Sequence, residues 1–280
     1  MIIAMNERAP VAEVEAALRY TVRTGEKPIS ETYGPGGPLR KVTGTFSDQV
    51  VRIRNGRLNR VEFHLDTNGF EFLDQPTQMR DFFDHDALRA VYYPEMEKLI
   101  AEVSGATRVH VFDHTLRSGD EATREARRIR EPVKTVHNDY TEWSAPQRIR
   151  DFFPEQAETL LKWRFAIIQV WRAINRPIDR DPLAIADSRS LYAKDFIAVE
   201  RRFPDRIGEI YQLEFNPTHR WHWFPRMSRD EALVFKTYDS ATDGRARFSA
   251  HTSFDDPASP GSAEPRESVE IRAFAFFALI

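Results

Sequence analysis

Thr135-Val136-His137-Asn138-Asp139-Tyr140-Thr141 reads as a short strand, and His137 and Asp139, two residues apart, leave it on the same face. An imidazole and a carboxylate aimed at one point are two of the three ligands of a 2-His-1-carboxylate facial triad, the usual cradle of non-haem Fe(II) in oxygenases. The third ligand is then expected to be a histidine far downstream, on a strand that closes back beside this one. An HxD pair also arises by chance in chains that hold no metal, so its meaning depends on the residues around it.

Downstream, Phe165 to Ile174 is a compact apolar run suited to a buried strand. From Gly208 onward short β-like runs follow one another: Glu209 to Phe215, His219 to Phe224, Ala232 to Tyr238, Arg247 to Phe254 and Glu267 to Phe277. His251 lies on the fourth of these, sharing a face with Arg247, Ser249 and Ser253, and is the best candidate for the distal ligand. In the next strand Arg266 and Ser268 point the same way. A guanidinium fork and a hydroxyl beside the distal histidine suit a carboxylate. On their own, the same two residues also suit an exposed strand edge. His219 and His222 are a rival pair, but Trp221, Trp223 and Phe224 interleave them and favour an aromatic core or pocket wall. His110 and His114 share a strand face without an acidic companion.

Upstream, Asp86 to Val103 predicts a helix with Leu88, Tyr92, Met96, Leu99 and Ile100 on one side and Gly105 at its end. Arg108 to His114 alternates as a strand, and the charged Gly119 to Lys134 segment predicts a surface loop. Ala145 to Lys162 predicts helix, broken near Phe153-Pro154. Ala12 to Tyr20 predicts a short helix and Tyr33 to Pro38 a turn-rich stretch. Asn55-Gly56 predicts a hairpin between Val50–Arg54 and Leu58–Leu65. Helices in the first half and strands in the second predict an α+β fold with a closed or sandwiched sheet. The expected organisation is a single domain over residues 1–280, with 1–70 as an N-terminal hairpin and loop extension.

The chain has 280 residues, 41% of them hydrophobic, enough for a sizeable core. Forty basic residues against 43 acidic ones give a net charge of -3, which offers no electrostatic case for nucleic acid or an anionic membrane. With no cysteine, disulfides, thiolate zinc sites, iron–sulfur clusters and cysteine nucleophiles are excluded. Met1 to Arg8 has no signal-peptide character and no apolar run approaches a membrane span. The expectation is a soluble, cytoplasmic protein acting on a small molecule, with a homodimer among the expected assemblies.

Several segments, in order, resemble one known family: Val109 to Arg117, Val136 to Thr141, Gln169-Val170-Trp171-Arg172, Pro182 to Ser190, Phe235 to Ser240, His251-Thr252-Ser253-Phe254 and Pro265 to Arg272. From about Phe70 to the C-terminus they resemble the CmcJ/AsaB-like hydroxylases and desaturases, which include fungal gibberellin desaturases. Gln169 and Ala173 depart from the Asn-Val-Trp-Arg-Pro expected there. The resemblance implies a double-stranded β-helix (jelly-roll) core with flanking helices, Fe(II), O2 and 2-oxoglutarate as co-substrate. It implies iron on His137, Asp139 and His251, and the distal carboxylate of 2-oxoglutarate on Arg266 and Ser268. Tyr140, Gln169, Arg172, Lys236 and Arg272 are candidates for the pocket lining. The reaction implied is hydroxylation, desaturation or oxidative cyclisation, in secondary metabolism; because Asp139 fills the place that related halogenases leave to chloride, halogenation is disfavoured. Other readings are an iron oxidase without 2-oxoglutarate, in which Arg266 and Ser268 bind the substrate's own carboxylate, a metal-free jelly-roll binding protein, and a zinc hydrolase.

Overall fold

The computed structural model describes residues 11–32 and 39–277; the Tyr33 to Pro38 turn and the first ten residues lie outside them. Two sheets face each other as a jelly roll with flanking helices. The five-stranded sheet runs Phe70–Asp74, Glu231–Asp239, Phe165–Ala173, Glu267–Phe276, Arg108–Ser118, all antiparallel. The ten-stranded sheet carries at its centre His251–Ser253 beside His137–Asn138, flanked by Leu183–Ala186 and Ile207–Leu213.

Alternation in the five-stranded sheet sorts its side chains between two cores. Ile168, Val170, Val269, Ile271, Ala273 and Val234 face outward and meet Leu88, Tyr92, Met96, Leu99 and Ile100 of the expected helix. That helix is observed as His85–Ala87, a wider turn at Leu88–Tyr92, and Tyr93–Ser104, closed by Gly105 at φ 72°. Pro94 near the N-terminal end of the last segment lacks the N–H a helix interior would need, and the left-handed glycine stops the other end. Met96 is fully buried against the sheet. Met96→Ala is expected to cost about 2–5 kcal/mol of stability, read from the midpoint of denaturant unfolding, with iron binding kept.

The other face of this sheet turns toward the ten-stranded one. Phe70, Phe72, Trp171, Leu233 and Phe235 meet Leu183, Ile185 and Phe224 at one end of the space between the sheets. Tyr140, Ile167, Phe274 and Phe276 close the other, beneath the helices Ser144–Phe152 and Ala157–Leu160. The break at Phe153-Pro154 falls between those helices, as expected.

Three expectations fail. Ala12 to Tyr20 is no helix: Glu13–Val22 is a strand that buries Val14, Ala16, Leu18 and Tyr20, every second residue. It pairs with Thr45–Asn55. Asn55-Gly56 is no hairpin turn, and Leu58 to Leu65 is no strand. Asn55 instead caps a 3-10 helix, Gly56–Glu62, by accepting from the Arg57 N–H at 3.0 Å. Glycine is needed there because the Phe224 ring lies 2.7 Å from where a Cβ would stand. Within the charged 119–134 segment, Asp120 starts a short helix, Glu121–Arg127.

Candidate metal and co-substrate site

His137 and His251 are cross-strand partners, their ring centroids 4.4 Å apart. Asp139 follows in the bend after the His137–Asn138 strand, with its Oδ1 3.6 Å from His137 Nε2. One ligand atom from each of the three lies within 4.8 Å of the others. The local chain fixes both imidazoles in the same way. His137 Nδ1–H donates to the carbonyl of Thr135 at 2.7 Å, and His251 Nδ1–H donates to that of Ser249 at 3.1 Å. Each ring is thereby held in the tautomer whose Nε2 keeps a free lone pair, the arrangement metal-bound histidines use.

Electrostatics agree. Burial first, then His251, pushes His137 down to about 3 against the pull of Asp139, so its imidazole is neutral at neutral pH. Burial raises the Asp139 carboxyl, but Arg272 and the two imidazoles outweigh it and hold the group well below the usual carboxylate range. Gln169 Nε2 donates to Asp139 Oδ2 at 2.6 Å, and Arg272 donates to the same oxygen at 3.3 Å. Gln169 and Arg272 are themselves cross-strand partners, so adjacent strands reach for one oxygen together. Oδ2 is occupied, and Oδ1 is left facing the histidines. Arg272 is saturated in turn by Glu270, Asp113 and Thr115.

Just before the strand that carries Arg272, Arg266 is buried with its Cζ 5.4 Å over the Trp171 ring. It donates to the Asp181 carbonyl at 2.6 Å and to Ser253 Oγ at 3.3 Å, but to no carboxylate. Its Nε has no partner, and neither has the buried hydroxyl of Ser268. Burial, reinforced by Arg117, pushes this guanidinium down to about 9. A buried cation without a counter-ion beside a hydroxyl without a partner is costly unless an anion joins them. The donor set therefore fits a carboxylate. The three-ligand cluster fits a divalent iron, since imidazole suits iron and a facial 2-His-1-carboxylate set leaves positions open.

A family model described as an oxidoreductase/YMDC permease-like domain matches residues 18–276. The hydroxylase/desaturase CTB9 of Cercospora beticola is 35% identical over an alignment covering 96% of this chain and 87% of that protein. The chain belongs to the CmcJ/AsaB-like hydroxylase/desaturase family. The Fe(II)/2-oxoglutarate-dependent dioxygenase nvfI of Aspergillus novofumigatus is 32% identical over 82% of this chain and 84% of its own. The solved structure of the iron and alpha-ketoglutarate-dependent endoperoxidase NvfI matches with a TM-score of 0.84 at 27% identity, over 96% of this chain and 99% of that one.

Against this family's site, the remaining sequence candidates divide. Tyr140 sits beside Asp139 and Arg272 in the aromatic end of the cavity, and burial pushes its hydroxyl up to about 12. Arg172 and Lys236 are not brought to the cluster. Arg172 lies on the helix side of its strand, over the Tyr92 ring and donating to the carbonyls of Gln75 and Arg229. Lys236 turns to Asp66 and Asp239 at the sheet's end. Both sit one residue out of phase with the inward set. His219 bonds Asp195 and Tyr20 in the outer core, away from the site. His222 packs edge-on against Phe63, 4.8 Å between centroids.

One residue of the candidate site escaped the sequence reading. Asn138, fully buried between the two ligands of the HxD motif, donates to the carbonyls of Tyr140 (2.7 Å) and Thr237 (2.9 Å). Its Oδ1 accepts from the Ser249 N–H at 3.1 Å. One amide thus ties the HxD strand to the opposite sheet and to the segment leading into His251. Asn138→Ala is expected to leave those buried groups unpaired, at roughly 1–3 kcal/mol each, and to weaken Fe(II) binding by about tenfold or more. Anaerobic Fe(II) titration beside a thermal melt checks both.

Proposed function

We propose that His137, Asp139 and His251 hold Fe(II), and that Arg266 and Ser268 hold the distal carboxylate of 2-oxoglutarate. The enzyme then uses O2 to hydroxylate, desaturate or oxidatively cyclise a small organic substrate of secondary metabolism. The observation that carries this reading is the pairing of a three-ligand cluster with a buried guanidinium that meets no carboxylate and a buried hydroxyl that has no partner. The printed names of the relatives, hydroxylase/desaturase and Fe(II)/2-oxoglutarate-dependent dioxygenase, support it.

Iron with its co-substrate and O2 supplies an oxidant strong enough to take hydrogen from carbon, leaving succinate and CO2. The chain's own part is placement. The carbonyls of Thr135 and Ser249 fix the imidazole tautomers. Gln169 and Arg272 fix which carboxylate oxygen faces the metal. Arg266 and Ser268 set the depth of the co-substrate. Phe235, edge-on to His251 at 4.9 Å, and Trp171 exclude water from the floor.

We read residues 1–280 as one oxygenase domain, because the strands before residue 56 pair within the sheet that carries both histidines. No helix among the described residues is long and apolar enough to cross a membrane. Release of succinate that requires both Fe(II) and 2-oxoglutarate tests the reading. Turnover of 2-oxoglutarate is expected even without the natural substrate, at a slow uncoupled rate. Substrate oxidation without succinate would favour the iron oxidase instead.

A further inference from the structure

Beyond the co-substrate anchor, three more arginines gather near Asp139, from both sheets and a loop. Arg117 is the cross-strand partner of Ser268, so it shares that residue's inward face. Arg130 is drawn to Arg117 by a backbone bridge. Arg201, on the Phe196–Arg202 strand, stands opposite Gly208, which offers no side chain to cover it. All three are half-buried, whereas Arg266 and Arg272 are buried. Arg117 donates to the Glu131 carbonyl at 2.9 Å, and the shielded Nε of Arg201 has no partner. Among the described residues, the nearby carboxylates of Asp113, Asp139 and Glu270 are ion-paired to Arg272 rather than to any of the three.

The three feel one another. Burial and then Arg117, Arg201 and Arg272 push Arg130 down to about 10. Burial chiefly lowers Arg117 and Arg201, each with help from Arg272, while Glu270 and then Asp139 pull Arg117 the other way and Asp139 does the same for Arg201. General basicity does not explain this: the whole chain carries a net charge of -3. Three guanidinium groups gathered beside Asp139, none of them closed by an ion pair, repel each other and favour a bound anion. Their planar forks suit a carboxylate. Arg272 is not available for it, being occupied by Asp139, Glu270 and Asp113.

We propose that Arg117, Arg130 and Arg201 form a second anion pocket beside Asp139, which receives a carboxylate carried by the substrate to be oxidised. This rests on the dioxygenase reading above only in calling the occupant a substrate. The pocket admits the acid and discriminates against its neutral counterpart, while Arg266 and Ser268 keep 2-oxoglutarate apart from it.

The test is calorimetric titration of the anaerobic Fe(II) protein, saturated with 2-oxoglutarate, with 2-naphthoate and with its neutral isostere 2-naphthamide. Wild type should prefer the acid by roughly tenfold or more. Arg130→Gln and Arg201→Gln should each erase most of that preference and leave amide binding alone. Arg201→Lys, which keeps charge without the fork, should fall between. Arg266→Ala should keep the preference, and a variant that lost it would place the acid at the co-substrate anchor and overturn the proposal. Equal binding of acid and amide by wild type, absence of acid binding included, would overturn it too. So would Gln variants that titrate like wild type. Succinate release from the same samples reports separately: a wild type that prefers the acid but makes no succinate would sink the dioxygenase reading and leave the pocket standing.

Discussion

His251→Ala should strip iron from the protein and leave the fold in place. Of three ligand groups, two would remain, both in one short segment, and neither can close the face that His251 completes. Losing an outer partner of a metal ligand already costs roughly 10–100-fold in affinity, so losing a ligand should cost more than about a hundredfold. The His251 ring is buried between Phe235 and His137, and its removal leaves a cavity of side-chain size. The Ser249 N–H still finds Asn138, so the segment keeps its place. Iron retained after anaerobic loading and gel filtration is the measurement, with a thermal melt beside it. His219→Ala is the matched control: it breaks bonds to Asp195 and Tyr20 and should keep its iron. A His251→Ala protein that held iron as wild type does would remove this residue from the ligand set.

Arg266→Ala should weaken 2-oxoglutarate without touching iron. Hydrogen bonds to a charged group contribute about 1.5–3 kcal/mol, so loss of the fork should raise the co-substrate concentration needed for half-maximal succinate release by roughly ten- to a hundredfold or more. Lysine should restore little, since it offers a point charge without two parallel donors. Stability should move in the opposite sense from most core substitutions. Arg266 is a buried cation without a carboxylate partner, and removing it relieves a desolvation cost that no ion pair offsets. The variant should therefore melt no lower than wild type in the absence of co-substrate, and should gain less than wild type when 2-oxoglutarate is added. An unchanged titration would place the carboxylate anchor elsewhere, with Arg117 the nearest alternative on that face.

How far the sequence went depended on whether a residue's partners were local. The helix ending at Gly105 could be read because its apolar stripe and its stop signal lie within one segment. The HxD pair could be read because a two-residue spacing on a strand fixes a shared face. Glu13–Val22 could not: Ala-Ala-Leu suits either period, and the partner that decides for a strand, Thr45–Asn55, lies beyond two intervening strands, Ile29–Thr32 and Leu39–Val42. Asn55-Gly56 misled because the glycine answers to the Phe224 ring, far along the chain. Gln169 and Arg272 were candidates for the pocket wall, but their shared grip on Asp139 Oδ2 follows from a cross-strand register that sequence does not reveal. Arg172 and Lys236 were placed by motif, and the alternation of their strands turns them away from the cavity. A signal for the co-substrate strand was available: Ser268, Glu270 and Arg272 alternate with the apolar Val269, Ile271 and Ala273 and share a face with Arg266.

The central claim is that one cavity takes Fe(II) and 2-oxoglutarate together, and anaerobic titration followed in the visible spectrum tests it most directly. Fe(II) alone should add no strong visible band. With 2-oxoglutarate present, a charge-transfer band should grow in and saturate at one iron per chain, be absent in His251→Ala, and require more 2-oxoglutarate in Arg266→Ala. Iron that binds at one per chain but gives the same spectrum with and without 2-oxoglutarate would contradict the account.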